Sequence, residues 1–441
     1  MGKTFIHLSD IHFGQEKGGQ IVINDDVKER LIDDVSRVMT TMPDGRASGI
    51  IVSGDIAYAG KKEDYILAGA WLDRIAAAAK CKKTDIQVVP GNHDIDRSQI
   101  IDPIEVMLQK IVDEGESVLD GYLESKLARE MLYARFRYYQ PFAEGYDSPL
   151  DKEGGLAGDC TVDLAPGRTL RFIGFNTALI CSKNDLEGKL MLGARQRVLP
   201  KTPGQELVVF AHHQLHWLQD SDDASRYLKS RARVFISGHE HKPSIQVVPI
   251  SAGRDLLMIA AGATMPPEAY TYTYNVLEFD WEQESDALSV KVHPRTWSDE
   301  EKEFVEDTVL LNGNGPKFVL GSPQFRCVLP VVQPQEQKMV SVNKETADIQ
   351  QAEQNTMVVG SVKGEQEEKV AVVSSQYPLL LLRFFRDLAP GQRLAVLVKL
   401  GALPDDWSDT LTHTMERHVF DSLNGQGRLD ELEEAINELI K

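Results

Sequence analysis

"VVPGNHDID", residues 88–96, sets apolar strand-type residues directly against a glycine, an amide, an imidazole and a carboxylate. Val88 and Val89 suit the end of a buried strand, whereas Asn92, His93 and Asp94 are poor packing residues at its mouth and suit chemistry better. The same ending recurs. "IHLS" leads into Asp10 and His12, "IIVS" into Gly54 and Asp55, "VVFA" into His212 and His213, and "VFIS" into Gly238, His239, Glu240 and His241. In open α/β sheets ligands bind outside the carboxyl ends of the strands, so side chains scattered from Asp10 to His241 are expected to converge on one crevice.

Around these endings, short apolar runs alternate with amphipathic stretches from residue 1 to about 300, the pattern of a layered α/β domain. "KTFIHL", "GIIVS", "IQVVP", "LRFIGF", "ELVVFA" and "RVFIS" are expected strands. Val27, Leu31, Val35 and Val38 recur at helical spacing, and "DYILAGAWLDRIAAAA" is helical by the same test. Residues 100–142 form a mostly helical insertion expected to cap the site. Its "ARFRYY" either stacks bases and contacts phosphates or is an amphipathic helix with core aromatics; the second reading is preferred. After His241, "SIQVVPI", "DLLMIAA", "YNVLEF" and "LSVKV" are expected as consecutive strands of an antiparallel closing sheet.

Residues 301–374 are rich in Gln, Glu, Lys and Ser and poor in aromatics, as a solvated linker is. A helical pattern resumes over 375–441, punctuated by Pro390, Gly391, Gly425 and Gly427, with Leu379, Leu382, Phe385, Leu394, Leu397 and Leu411 as its expected core. The polar segment is expected to let the two domains move independently.

Composition narrows the function. At 441 residues the chain exceeds one ordinary core, and 42% hydrophobic with 26% charged residues is typical of a soluble globular protein. No run approaches the roughly 20 apolar residues of a membrane span, and "MGKTFIHLSD" enters a strand pattern without a signal-peptide core, so a cytoplasmic address and no membrane partner are expected. Four widely spaced cysteines with no CxxC pair are expected as reduced thiols. The net charge of −19 argues against broad coating of nucleic acid, which depends on Lys and Arg neutralising phosphates. It leaves a nuclease open, because bound divalent cations supply positive charge locally.

Carboxylate, imidazole and amide oxygen together make a mixed O/N donor set suited to Mn, Fe or Zn. Seven such donors exceed the needs of one catalytic metal and suffice for two ions about 3.5–4 Å apart that share a carboxylate. Water held there becomes a hydroxide-like nucleophile at neutral pH, and both ions stabilise charge on a phosphoryl oxygen. Glycine before Asp55, Asn92 and His239 fits tight turns where backbone must approach the ions.

The ordered set DxH, GD, GNHD, a later His and GHxH resembles the calcineurin-like metallophosphoesterase superfamily over residues 1–300. The resemblance implies an α/β fold, a four-layer αββα sandwich with a dimetal site at one edge, with manganese expected and iron or zinc as alternatives. It implies that Asp10, His12 and His241 hold the first metal, that Asp55 bridges, and that Asn92, His212 and His239 hold the second. Where two histidines adjoin, the pattern takes the first, hence His212 over His213. His93 would stabilise the transition state or protonate the leaving oxygen, with Asp94 orienting it.

Protein serine/threonine phosphatases read GDxxDRG and GNHE, whereas this chain has "GDIAYAG" and "GNHD"; the phosphate-clamping arginine of that motif is missing. The phosphodiesterase and nuclease branches match better, so the expected activity is metal-dependent hydrolysis of phosphodiesters in nucleic acid or nucleotides. A cyclic-nucleotide phosphodiesterase and a scaffold with its output through the C-terminal helices are the alternatives. "LLRFFRDLAPGQRLAVLVKLGAL" and "HVFDSLNGQGRLDELEEAI" resemble the effector-associated, death-like adaptor domains of bacterial defence systems, against the plainer reading of a helical dimerisation bundle. The resemblance implies self-association or a protein partner for this segment, and an effector role for the enzyme.

Overall fold

In a computed structural model, which describes residues 2–250, 255–267, 270–311, 313, 315–327, 376–403 and 413–440, the apolar runs form two sheets. The first contains β1 (Lys3–Leu8), β2 (Gly49–Val52), β3 (Ile86–Val88), β10 (Thr273–Glu282), β11 (Ala287–Ser298), β12 (Glu303–Glu306) and β13 (Lys317–Leu320), in the order β12-β11-β10-β1-β2-β3 with β13 also on β11. The second contains β4 (Gly158–Ala165), β5 (Arg168–Gly174), β6 (Gln205–Phe210), β7 (Ala232–Ser237), β8 (Ser244–Val248) and β9 (Leu256–Ala260), in the order β4-β5-β6-β7-β9-β8. Phe172 of the second sheet meets Phe5 and Phe279 of the first at ring-centre distances of 4.7 and 5.7 Å, so the core lies between the sheets.

Helices cover the outer faces, completing the αββα layering. On the first sheet lie α1 (Gln20–Met39), which buries Val27, Leu31 and Val35, and α2 (Lys62–Ala78), which buries Tyr65, Trp71, Leu72 and Ile75. The insertion comprises α3 (Asp102–Glu114), α4 (Glu116–Glu124), α5 (Lys126–Tyr133) and α6 (Tyr139–Gly145). The short α7 (Ala194–Arg197) and then α8 (Ser221–Arg231) follow β5 and β6, and α8 turns Ala224 and Leu228 inward. In "ARFRYY", Arg135, Phe136 and Tyr139 are buried, and the Arg135 guanidinium donates to the carbonyls of Leu132, Leu179 and Cys181. These groups are spent on structure and are closed to bases or phosphates.

All six strands expected before His241 are present, because parallel strands buried on both faces read as continuous apolar runs. β4 was not anticipated; it is an edge strand whose burial alternates. After His241, β9 pairs parallel with β7 instead of joining an antiparallel series, while β8–β9 and β10–β11 are antiparallel. Sheet structure also runs past residue 300, where linker was expected: β12 and β13 are short edge strands on β11, and Phe325 is buried. Residues 328–375 of that linker lie outside the described residues.

The C-terminal helices are α9 (Gln376–Asp387), α10 (Pro390–Lys399), α11 (His413–Gly425) and α12 (Leu429–Ile440). Leu380, Phe384, Phe385, Leu397, Phe420 and Ile436 form their core, with Leu394 partly buried beside it. Of the expected core residues, Leu411 and the side chains of Leu379 and Leu382 lie outside what the structure describes. The helices do not stand apart from the α/β domain but form one compact unit with it. Buried Arg393 pairs with Glu144 of α6 at 3.2 Å and with Glu416 of α11 at 3.1 Å. Arg386 pairs with Asp73 at 3.6 Å, and Arg417 with Asp147 at 3.0 Å. The expected independence of the two domains gives way to this docking, which no local sequence pattern encodes. Among the described residues no helix is long and apolar enough to cross a membrane.

Candidate metal centre

The loops at the carboxyl ends of β1, β2, β3, β6 and β7 meet as the topology requires. The Asp10 N–H donates to the Gly54 carbonyl at 3.0 Å and that of Ile11 to the Asp55 carbonyl at 2.9 Å, so the first two loops run side by side. His241 Nε2 is 3.1 Å from Asp10 Oδ1 and 3.5 Å from His12 Nε2. Asp55 Oδ2 is 3.8 Å from His12 Nε2 and 3.3 Å from His212 Nε2. His212 Nε2 in turn is 3.1 Å from Asn92 Oδ1 and 3.2 Å from His239 Nδ1. Thus Asp10, His12, Asp55, Asn92, His212, His239 and His241 are all brought together, with Asp55 between two clusters.

The donor chemistry fits cations. Ring nitrogens of His12 and His241 face one another, as do those of His212 and His239, beside carboxylate and amide oxygens; lone pairs converging this way are reconciled by a shared positive charge. His212 Nδ1–H donates to the Ser53 carbonyl at 2.9 Å, which fixes the tautomer and leaves Nε2 as a donor atom. Burial opposes charge on His212, yet the carboxylates of Asp55 and Asp10 carry its pKa up to about 9, so Nε2 takes a cation in exchange for a proton. Burial also opposes charge on Asp55, but His212 and His12 hold its carboxyl well below the usual range. Burial brings His12 and His239 down to about 4, so both are neutral imidazoles near pH 7, the form that ligates.

The backbone yields to these side chains. Asp10, His12, Asp55, His239 and His241 all have positive φ, between 53 and 75°, a region non-glycine residues seldom adopt. Gly238 lies where a Cβ would come within 2.1 Å of Ser9 Oγ, and Gly91 where one would come within 2.1 Å of Asp55 Oδ1. Gly91→Ala must therefore displace Asp55, and metal affinity is expected to fall about 10–100-fold. Metal titration followed by calorimetry checks this; unchanged affinity would show that Asp55 need not sit where it does.

His93 lies beside the clusters, its backbone N–H donating to Asp55 Oδ1 at 2.8 Å and its ring 4.9 Å from that of His12. The expected orienting role of Asp94 is corrected here. Asp94 accepts from the N–H groups of Ile56, Ala57 and Gly91 and from the Tyr65 hydroxyl, all within 3.1 Å, so its carboxylate stitches the Asp55 and Asn92 loops together. Burial and the nearby Asp55 push its pKa up to about 6, against those backbone donors. The His93 ring is held instead by the Tyr58 carbonyl, 2.7 Å from Nδ1. Ser53, Tyr58 and Tyr65 went unnoticed because two of them act through main-chain carbonyls and the third through a tertiary contact.

Of the remaining histidines, His213 is buried behind His212 with Nδ1 2.9 Å from Thr177 Oγ1, although its ring nitrogens also approach those of His212 and His239. His7 is buried beneath the site, 2.9 Å from Ser53 Oγ. His216 pairs with Glu240 at 2.7 Å and His293 with Glu278 at 2.6 Å.

Residues 3–243 match the family model of the calcineurin-like phosphoesterases, more than half of the chain. The chain belongs to that family. Residues 376–438 match the model of the GTPase-associated adaptor domain, over the segment read as a helical adaptor. A metallophosphoesterase-like protein of Bacillus subtilis, YydB, is 24% identical over 286 residues, which are 62% of this chain and 55% of that protein. The chain thus spans about half the length of the curated relative it matches. Among solved structures, a dimetal phosphatase from Danio rerio is similar at 13% identity and a TM-score of 0.36, covering 69% of this chain and 98% of that one. A purple acid phosphatase from yellow lupin seeds is similar at 11% identity and a TM-score of 0.37, covering 71% and 56%.

Proposed function

We propose that this phosphoesterase is a dimetal phosphodiesterase acting on nucleic acid or nucleotides, in the cytoplasm, as the effector of a bacterial defence system. The observation that carries the reading is the placement of Asp55 Oδ2 between the His12 side and the His212 side of the donor set. In this reading Asp10, His12 and His241 hold one divalent ion, Asn92, His212 and His239 hold the other, and Asp55 bridges. Manganese suits the set best, with iron or zinc as alternatives. The ions, when bound, supply a hydroxide-like nucleophile and charge stabilisation on the phosphoryl oxygens.

The chain's own residues do the rest. With Nδ1–H given to the Tyr58 carbonyl, His93 turns Nε2 toward the substrate side, where it donates a hydrogen bond to the leaving oxygen. Beside His93 a cavity of about 180 Å³ is lined by Tyr58, Lys61 and Arg97; Lys61 pairs with buried Asp96 at 2.6 Å, and Arg97 is the cation that suits a second phosphate along a nucleotide chain. Arg97 thereby offers, from a different position, the cation missing from the GD motif. The adaptor match supports recruitment of the enzyme through its C-terminal helices, by a partner or by another copy.

Protein loaded with Mn is expected to hydrolyse bis-p-nitrophenyl phosphate, to lose that activity in chelator and to regain it when Mn is restored. A panel of single-stranded DNA, duplex DNA, RNA and cyclic nucleotides then assigns the substrate. Metal-loaded protein inert toward every member would sink the reading.

A further inference from the structure

The side of the centre opposite His93 is built differently. The chain leaving β9 is tied to the first donor loop: the Thr264 N–H donates to the Ser9 carbonyl at 2.8 Å, that of Met265 to the Asp10 carbonyl at 3.0 Å, and the Gln15 amide to the Met265 carbonyl at 2.8 Å. From that anchor Pro266, Pro267 and Tyr270 form one wall of a cavity of about 630 Å³, a volume ordinary for small-molecule sites. The facing wall is the first turn of α1, where Val22 and Ile23 are 73% and 53% exposed. Tyr272 and Trp297 close the end, their rings 5.9 Å apart.

This cavity abuts the metal centre through Tyr270. The Tyr270 ring stands edge-on to the His241 ring at 5.6 Å, and Tyr270 is itself 39% exposed. An exposed aromatic ring anchored against a metal-ligating histidine, with apolar side chains opposite, is a platform for a flat ring attached to a phosphate. Asp26 and Asp299 line the cavity, Asp26 lying 3.7 Å from Arg30, and Asp299 pairing with Lys302 at 3.2 Å and accepting from the Trp297 indole at 3.2 Å. Carboxylates with so few partners keep lone pairs for further donors, so this flank suits a ring bearing N–H groups.

We infer that the Tyr270 cavity binds the nucleobase of the nucleotide whose phosphate lies at the metals, a base with exocyclic N–H groups being preferred. The substrate is thereby oriented, with its base on the His241 side and any further phosphate on the Lys61 and Arg97 side. The inference rests on the nucleotide reading given above, but its test does not depend on turnover. The affinities of adenosine 5′-monophosphate and ribose 5-phosphate for the Mn-loaded full chain are compared by calorimetry. Wild type is expected to prefer the adenosine compound by about tenfold or more, the lower range of base–aromatic stacking. Tyr270→Ala is expected to erase that preference and Tyr270→Phe to keep it. Equal binding of the two ligands by wild type, or a preference that survives in Tyr270→Ala, overturns the inference. Failure of the phosphodiesterase reading would show separately, as absent hydrolysis with the binding preference intact.

Discussion

Asp55→Ala protein is expected to lose its bound metal and about a thousandfold or more of its hydrolysis rate. The carboxylate oxygen Oδ2 is within 4 Å of both His12 Nε2 and His212 Nε2, and the other oxygen accepts the His93 backbone N–H at 2.8 Å, so removal of the group opens both halves of the site. Metal-borne charge stabilisation is worth several kcal/mol, and each 1.36 kcal/mol is about tenfold in rate. His93→Ala separates proton transfer from metal binding. Its rate is expected to fall about 10²–10⁴-fold, the usual worth of general acid catalysis, while metal content stays as in wild type. Elemental analysis beside turnover on bis-p-nitrophenyl phosphate reads both variants. If His93→Ala lost the metal and Asp55→Ala kept it, the two roles would have to be exchanged.

Arg393→Ala is expected to destabilise the protein by about 3–5 kcal/mol, the cost of breaking a buried ion pair from one side. The loss of this guanidinium strands two buried carboxylates, Glu144 in the catalytic domain and Glu416 in the helical domain. Urea unfolding measures the cost, and limited proteolysis should show earlier cleavage within residues 376–440. Replacing all three residues together by leucine or methionine is expected to restore most of the stability, since an apolar triad carries no stranded charge. Stability unchanged in Arg393→Ala would mean that the helices dock without help from this pair, through their apolar contacts and the Arg386 and Arg417 pairs. The same helix α6 presents Phe142 to Tyr65 at a ring distance of 5.0 Å, and Tyr65 bonds Asp94 between the Asp55 and Asn92 loops.

Much of this was legible in the chain. β1, β2, β6 and β7 announced themselves because strands buried on both faces are predominantly apolar, and each hands the chain to donors that core packing would reject. Edge strands carry no such constraint: β4 alternates, and β12 and β13 are only four residues each, so those two read as linker. The donors were legible one at a time, but what holds them was not. The Ser53 and Tyr58 carbonyls are main-chain groups whose use leaves no mark on residue type. Asp94 was placed near the right residues with the wrong partner, because adjacency in sequence to His93 is not adjacency of their side chains. The Arg393–Glu144 pair spans the segment 328–375, and nothing local in either helix points to the other.

The left-handed backbone at Asp10, His12, Asp55, His239 and His241 gives the family's chemistry a particular evolutionary fragility. Each such residue costs on the order of 1 kcal/mol relative to one at ease there, against a typical total stability of about 5–15 kcal/mol. Glycine at these positions would relieve that cost while discarding a donor atom. Folding alone therefore gives no resistance to the decay of this centre and slightly rewards it. A lineage that kept only the helical adaptor's output would drift toward a sturdier, silent phosphoesterase domain, and the donors would be the first residues to go.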